Sequence, residues 1–233
     1  MDAPEQMAVG IYRIDGIGLP AALNLLVAQG ADGWSLVDTG TSGSPKRIQS
    51  ALASLGVGPG DLARIYLTHH HQDHVGGLPA MRRWAPKAEI VAPAHEAEII
   101  TGRRPADPFS NPVFRRLQTL IRLPVVAVDR TVNEGDSIGP FKVVASPGHT
   151  FGHTSLLAET EGLLFTGDAF GAMPRRLRVG VRGFLCTAPA LARGSASKLL
   201  GLSFKTVVFA HGPAIHEGAK ERLSQVVAAC DYR

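Results

Sequence analysis

Cysteine is scarce. Cys186 and Cys230 are the two in 233 residues, and their separation matches neither a metal-binding nor a redox pair. Both are read as buried free thiols, which suits a reducing compartment. Long apolar runs are missing as well. No stretch reaches the roughly 18 residues of a membrane span, and the start, MDAPEQMAVG, lacks the basic end and apolar core of a secretory leader. The expectation is a cytoplasmic protein with no membrane partner. Internal repeats, low-complexity tracts and an evident linker are absent too, so a single domain over residues 1–233 is expected. Acidic residues disappear between Asp168 and Glu217, a stretch that holds Arg175, Arg176, Arg178, Arg182, Arg193, Lys198 and Lys205. With a net charge of +4, such a flank either attracts an anionic substrate or nucleic acid or is plain solvated surface.

What is present suits a globular α/β chain: 45% apolar residues, with Gly 26 and Pro 16 to make many turns. MAVGIYRI, AALNLLVAQ and GWSLVDTG read as strands. SPKRIQSALASLG reads as a helix, capped by Ser44, opened by Pro45 and closed by Gly56, with Ile48, Ala51, Leu52 and Leu55 on one apolar face. LARIYLTH is a strand leading into a histidine cluster, followed by a short helix in GGLPAMRRWAP. AHEAEII looks helical, and TGRRPADPFSNP is a loop. VFRRLQTLIRL has helical spacing at Val113, Leu117, Leu120 and Ile121; residues 93–130 read as an insertion near the active site. VVAV, FKVVAS, TSLLAE, GLLFTGD and KTVVFAHG are strands. APALARGSASKLLGL and the segment from Glu217 are helices, the last burying Leu223, Val226, Val227 and Cys230. Two groups of strands, each accompanied by helices, predict packed sheets with helices outside.

The chemistry is concentrated in THHHQDHVGG, where His69, His71, Asp73 and His74 fall within six positions. Offsets of two, four and five do not share a helix face. On a tight loop after a strand they can converge, and Gly76 and Gly77 permit close backbone approach. His149 in SPGHT, Asp168 in FTGDAF and His211 in FAHGPA each follow an apolar, strand-like run. Imidazole and carboxylate suit borderline metals such as zinc. Five histidines and two aspartates are too many for one tetrahedral ion and suit two ions sharing a carboxylate.

These motifs, with LVDTG before them and in the same order, resemble the metallo-β-lactamase-fold hydrolase superfamily, whose signature is H-x-H-x-D-H. The resemblance runs from about Val37 to Gly212. It implies a four-layer αββα sandwich of two mixed sheets with the metals at one edge. It further implies that His69, His71 and His149 hold one metal, that Asp73, His74 and His211 hold the second, and that Asp168 bridges them. Zinc is the expected metal, with iron or manganese as alternatives. Asp73 and Asp168 are the expected catalytic carboxylates, supporting attack by a metal-activated hydroxide. Asp38 is expected to support the histidine cluster, and His153 is either a similar support or the start of a strand. His70 is read as structural, His95 and His216 as ordinary polar residues, and Thr68 and Thr150 as backbone hydrogen-bonders.

Substrate is less legible. The chain ends about twenty residues after His211, where glyoxalase II-like relatives continue into a helical region that binds glutathione. Quorum-quenching lactonases place a tyrosine where this sequence has Gly171. RNase Z-type relatives are longer and carry an RNA-binding arm. The best expectation is hydrolysis of a small ester, thioester or lactone, whose anionic group would be met by Arg175, Arg176 or Arg178. The alternatives are a phosphodiesterase or nuclease of the same fold, and an iron-dependent redox protein. Flavin-type redox relatives usually have glutamate at the position of His71, which argues against that form. A nucleic-acid partner is not expected but is left open, and oligomeric state is not legible.

Overall fold

A computed structural model describes residues 3–172, 176–181 and 183–230. The first half of the chain builds a seven-stranded sheet from β1 (Glu5–Ala8), β2 (Ile11–Asp15), β3 (Asn24–Gly30), β4 (Gly33–Val37), β5 (Leu62–Tyr66), β6 (Glu89–Pro93) and β7 (Arg130–Val132), in that spatial order. Pairing is antiparallel from β1 to β4 and parallel from β4 to β7. The parallel part needs crossovers. These are supplied by α1 (Pro45–Ser54), then α2 (Gln72–Val75) and α3 (Leu78–Trp84), and finally α4 (Ala94–Ile100) with α5 (Pro112–Gln118). The second half forms β8 (Ser137–Ile138), β9 (Phe141–Ala145), β10 (Thr154–Ala158) and β11 (Leu163–Phe165). A ribbon of β12 (Phe170–Ala172) and β13 (Leu177–Val179) and the helix α6 (Pro189–Leu200) follow. Then β14 (Thr206–Val208) joins beside β11, in parallel, to complete a five-stranded sheet. The last helix is α7 (Ala219–Cys230).

The layers follow from the two-residue period of strands. On β3, Leu25 and Val27 face a core made with Ile48 and Leu52 of α1 and with Leu78 and Met81 of α3. The alternate residues, Leu26 and Ala28, face the second sheet, where they meet Phe141, Leu156 and Phe165. That sheet repeats the device: Leu157, Leu164 and Val207 turn outward onto Leu199 of α6 and onto Leu223 and Val227 of α7. The order is helix, sheet, sheet, helix. Because both faces of β3 are covered, five of its seven residues are buried without alternation. Among the described residues, no helix is long and apolar enough to cross a membrane.

Several local readings change. MAVGIYRI is two strands, because Gly10 turns the chain with φ +70°. Ser44 precedes α1 but does not cap it. Its own backbone is already helical, and its hydroxyl instead accepts from the Thr41 amide at 3.0 Å. VVAV is not a strand. The edge position beside β6 goes to β7, while Val126 hydrogen-bonds Ile100 O at 3.1 Å and packs, with Val128, onto the helix-side core. The helix predicted over VFRRLQTLIRL stops at Gln118 and buries none of its residues. The β12–β13 ribbon was not read at all. Cys186 is buried as expected, and the Cys230 side chain lies outside the described residues.

Candidate metal centre

All seven ligand candidates meet at one edge, between the two sheets. The loop after β5 carries His69 and His71 into α2, which brings Asp73 and His74. The β9–β10 turn brings His149, the end of β11 brings Asp168, and the turn after β14 brings His211. Asp168 stands in the middle. Its Oδ2 lies 3.1 Å from His149 Nε2 and 3.9 Å from His69 Nε2. Its Oδ1 lies 3.5 Å from His74 Nε2 and 3.6 Å from His211 Nε2. Each oxygen therefore faces a different pair of imidazoles. His71 Nδ1 is 2.9 Å from His149 Nε2, and His211 Nε2 is 3.2 Å from Asp73 Oδ2. Ligand atoms of His69, His71 and His149 lie within 4.8 Å of one another, and so do those of Asp73, His74 and His211.

The donor set fits a pair of cations. His69 Nε2, His74 Nε2 and Asp168 Oδ1 are buried and have no hydrogen-bond partner. Orphaned buried polar atoms are costly, and here they converge, as ligand atoms do. Burial, followed by neighbouring imidazoles, holds the pKa values of His69 and His71 well below the usual histidine value, so the rings are neutral, as metal binding requires. Burial also lowers the tendency of His74 and His211 to protonate, but carboxylates outweigh it. Asp38, Asp168 and Asp73 raise His74 well above its usual value, and Asp168 and Asp73 raise His211 to about 9. Burial opposes ionisation of Asp73 and Asp168 too, yet the surrounding histidines hold both below the usual carboxylate range.

A supporting shell fixes the rings. Asp38 Oδ2 lies 2.8 Å from His74 Nδ1, and its carboxylate also accepts from the Thr68 amide and hydroxyl. Those bonds hold Asp38 at φ +63°, a conformation unusual for a residue with a Cβ. The Thr68 hydroxyl reaches His69 Nδ1 at 3.0 Å, so it bonds the side chains of Asp38 and His69 rather than the backbone expected for it. His211 Nδ1 lies 2.7 Å from Ala22 O. His153 accepts the Asp168 amide at Nε2, 2.9 Å away, while its Nδ1 meets Ser146 Oγ at 2.9 Å. Burial, then His149, pushes this ring down to about 3, keeping it a neutral acceptor. Gly148 is required beside His149, since a Cβ there would lie 2.1 Å from Ala192 N.

The His211 turn is anchored by Asn24, a residue that sequence reasoning passed over. Its Nδ2 donates to Phe209 O at 2.8 Å and Gly212 O at 2.7 Å, and its Oδ1 accepts from Arg13. Asn24→Ala strands these groups and will lower unfolding stability by about 2–3 kcal/mol. Denaturant titration of the metal-free protein checks this, and a loss under about 0.5 kcal/mol would count against the anchor.

Glu96, also unread, ties two ligand loops together from α4. It is buried. Its Oε2 accepts from the His70 amide at 2.8 Å and pairs with His70 Nδ1 at 2.6 Å. Its Oε1 accepts from Thr150 Oγ1 at 2.7 Å and the Gly152 amide at 2.9 Å. His70 is thus structural, as read. His95 is not an isolated polar residue, for its Nε2 lies 2.9 Å from Asp107 Oδ1, and Asp107 also accepts from the Phe151 amide.

Residues 93–130 do reach the site. A cavity of about 290 Å³ opens over the ligand candidates, walled partly by Ala106, Phe109, Gln118, Ile121 and Leu123. Arg176 and Arg178 line a second cavity with Cys186, Arg193 and Gln225, and neither lines the cavity over the ligand candidates. Arg175 lies outside the described residues. The strand of the β12–β13 ribbon that carries Arg178, β13, packs against α6 and α7.

Comparison with known proteins agrees with this geometry. Residues 20–211 match the family model described as the metallo-beta-lactamase superfamily. A Bacillus subtilis (strain 168) protein called uncharacterized protein YobT is 30% identical over 142 residues, covering 58% of this chain and 57% of that protein. A hydroxyacylglutathione hydrolase from Photobacterium profundum is 27% identical over 172 residues, covering 72% and 53%. The chain thus matches little more than half the length of these curated relatives. Among solved structures, a metallo-beta-lactamase family protein from Thermus thermophilus superposes with a TM-score of 0.71 at 24% identity, over 97% of this chain and 81% of that one. A Cronobacter sakazakii metallo-beta-lactamase superposes at 0.72 with 20% identity, over 99% and 97%.

Proposed function

The chain belongs to the metallo-beta-lactamase superfamily, and from that premise we propose that it is a dinuclear metal-dependent hydrolase of a small ester, thioester or lactone. One observation carries the reading: Asp168 presents separate oxygens to two pairs of imidazoles, and one inward nitrogen in each pair, His69 Nε2 and His74 Nε2, lacks a hydrogen-bond partner. His69, His71 and His149 would hold one ion, Asp73, His74 and His211 the other, and Asp168 both. When bound, two such cations, zinc first and iron or manganese as alternatives, acidify water and polarise a carbonyl oxygen.

The chain's own residues do the rest. Asp38 and Thr68 orient His74 and His69, and His153 holds the Asp168 backbone. Asp73 lines the cavity and is 43% exposed at its side chain. Its carboxylate can take a hydrogen bond from an attacking water and pass on the proton. Phe109, Ile121 and Leu123 keep bulk water from the reacting carbonyl. Elemental analysis of purified protein should find two divalent ions per chain, and an ester, thioester and lactone panel should show turnover that a chelator abolishes. Fewer than one ion per chain after loading, or cleavage confined to RNA, would overturn the reading.

A further inference from the structure

We propose that the substrate carries an extended apolar chain, taken up by the wall and rim that residues 106–125 build over the ligands; this rests on the hydrolase reading above. Besides the ligands, His70 and two glutamines, the cavity is lined by Ala106, Phe109, Ile121, Leu123, Val181 and Leu185. Among the described residues, no lysine or arginine lines it. The apolar wall reaches the metal edge itself, for the Phe109 ring centre lies 5.2 Å from that of His71. A pocket of this kind, apolar with a few convergent polar groups, takes a ligand of matching character.

The rim extends the same chemistry outward. Val113 is 65% exposed, Leu117 51%, Leu120 77%, Ile121 47% and Val125 72%. Half of the exposed large apolar residues of the described chain fall in this one stretch. Ile121 belongs both to the cavity wall and to the rim, so the two surfaces are continuous. Clustered exposed apolar residues beside a cavity mark a binding surface. A chain longer than the cavity would leave it across Ile121 and cover Leu117 and Leu120. A small polar or anionic substrate would leave both wall and rim without a use, and Arg176 and Arg178 line a different cavity.

The test uses metal-loaded protein and 4-nitrophenyl acetate, butyrate, hexanoate and octanoate, with the succinate half-ester as the anionic arm. Each buried methylene should raise kcat/KM about threefold to fourfold up to the cavity's limit. Binding is read separately through the fluorescence of N-phenyl-1-naphthylamine, a neutral apolar probe, which hexanoate esters should displace and acetate should not. Ile121→Glu, at a half-exposed position that tolerates charge, should cut the gain per methylene to less than 1.5-fold and remove most of the probe signal. Turnover with no dependence on chain length, or preference for the succinate half-ester, would overturn the inference while leaving hydrolysis intact. Probe binding at Ile121 with no ester cleaved at any length would sink hydrolysis and leave the apolar preference standing. If sedimentation instead shows a dimer that Leu120→Glu separates, with the chain-length gain unchanged, the rim joins two copies and its assignment to substrate is wrong.

Discussion

Asp168→Ala will lower kcat/KM on the best ester of the panel by about 10³-fold, and the protein will retain closer to one metal ion per chain than two. The reason is the division of its carboxylate. Oδ2 faces His69 and His149, and Oδ1 faces His74 and His211. No other side chain in the cluster approaches both sets in this way. Polarising a reacting oxygen and acidifying water are worth several kcal/mol of barrier, and each 1.36 kcal/mol is a factor of ten. Folding is not the confounder it would be elsewhere. The Asp168 amide still donates to His153, and the neighbouring Phe170 and Ala169 remain in the second-sheet core. Far-ultraviolet circular dichroism should match the parent. Unchanged turnover in that variant would remove the basis for a paired-metal centre.

The ligand candidates that the structure brings together were legible in the sequence because their chemistry is rare at that spacing: four of seven sit in six positions, and the others end apolar runs. Asp38 was legible through LVDTG. The partners that hold the loops were not. Glu96 lies in AHEAEII, where it and Glu98, two positions apart, point to opposite sides of a helix, and the string does not say which side is buried. Nothing in that string shows that its acceptors point at amides 26 and 56 residues away. Asn24 is one polar residue inside an apolar strand, and its partners lie 185 and 188 residues on. Arg176 and Arg178 misled for a related reason. Nearness in sequence to a ligand says little when a two-stranded ribbon reverses the chain at once. The face of Val113, Leu117, Leu120 and Ile121 has true helical spacing, but period alone does not say whether a core or solvent lies opposite. Layer order was readable from strand grouping. The switch from antiparallel to parallel pairing after β4 was not, since it depends on which crossovers the helices make.

Glu96→Ala will cost about 3 kcal/mol or more of stability and weaken one of the two metal sites by about 10–100-fold. The carboxylate serves four donors: the His70 amide and ring, the Thr150 hydroxyl and the Gly152 amide. Alanine leaves them buried and unmet, at about 1–3 kcal/mol each before relaxation. His70 sits between His69 and His71, and Thr150 follows His149, so the strap joins the two loops that would hold the first ion. Loss of a supporting partner typically lowers metal affinity by 10–100-fold, and here the loss should fall on that ion alone. Acid adds a second signature. Burial pushes the Glu96 carboxyl up, but the His70 hydrogen bond and charge and the Thr150 hydroxyl outweigh it, leaving the group below its usual value. A depressed carboxylate contributes in full above the usual range and loses its contribution as pH falls through the lowered value. Stability of the metal-free parent should therefore fall on acidification more steeply than that of Glu96→Gln. Denaturant titrations give the stability, and competition with a zinc chelator gives the two affinities. A variant that is destabilised yet binds both ions as the parent does would reduce Glu96 to a packing residue and detach it from the site.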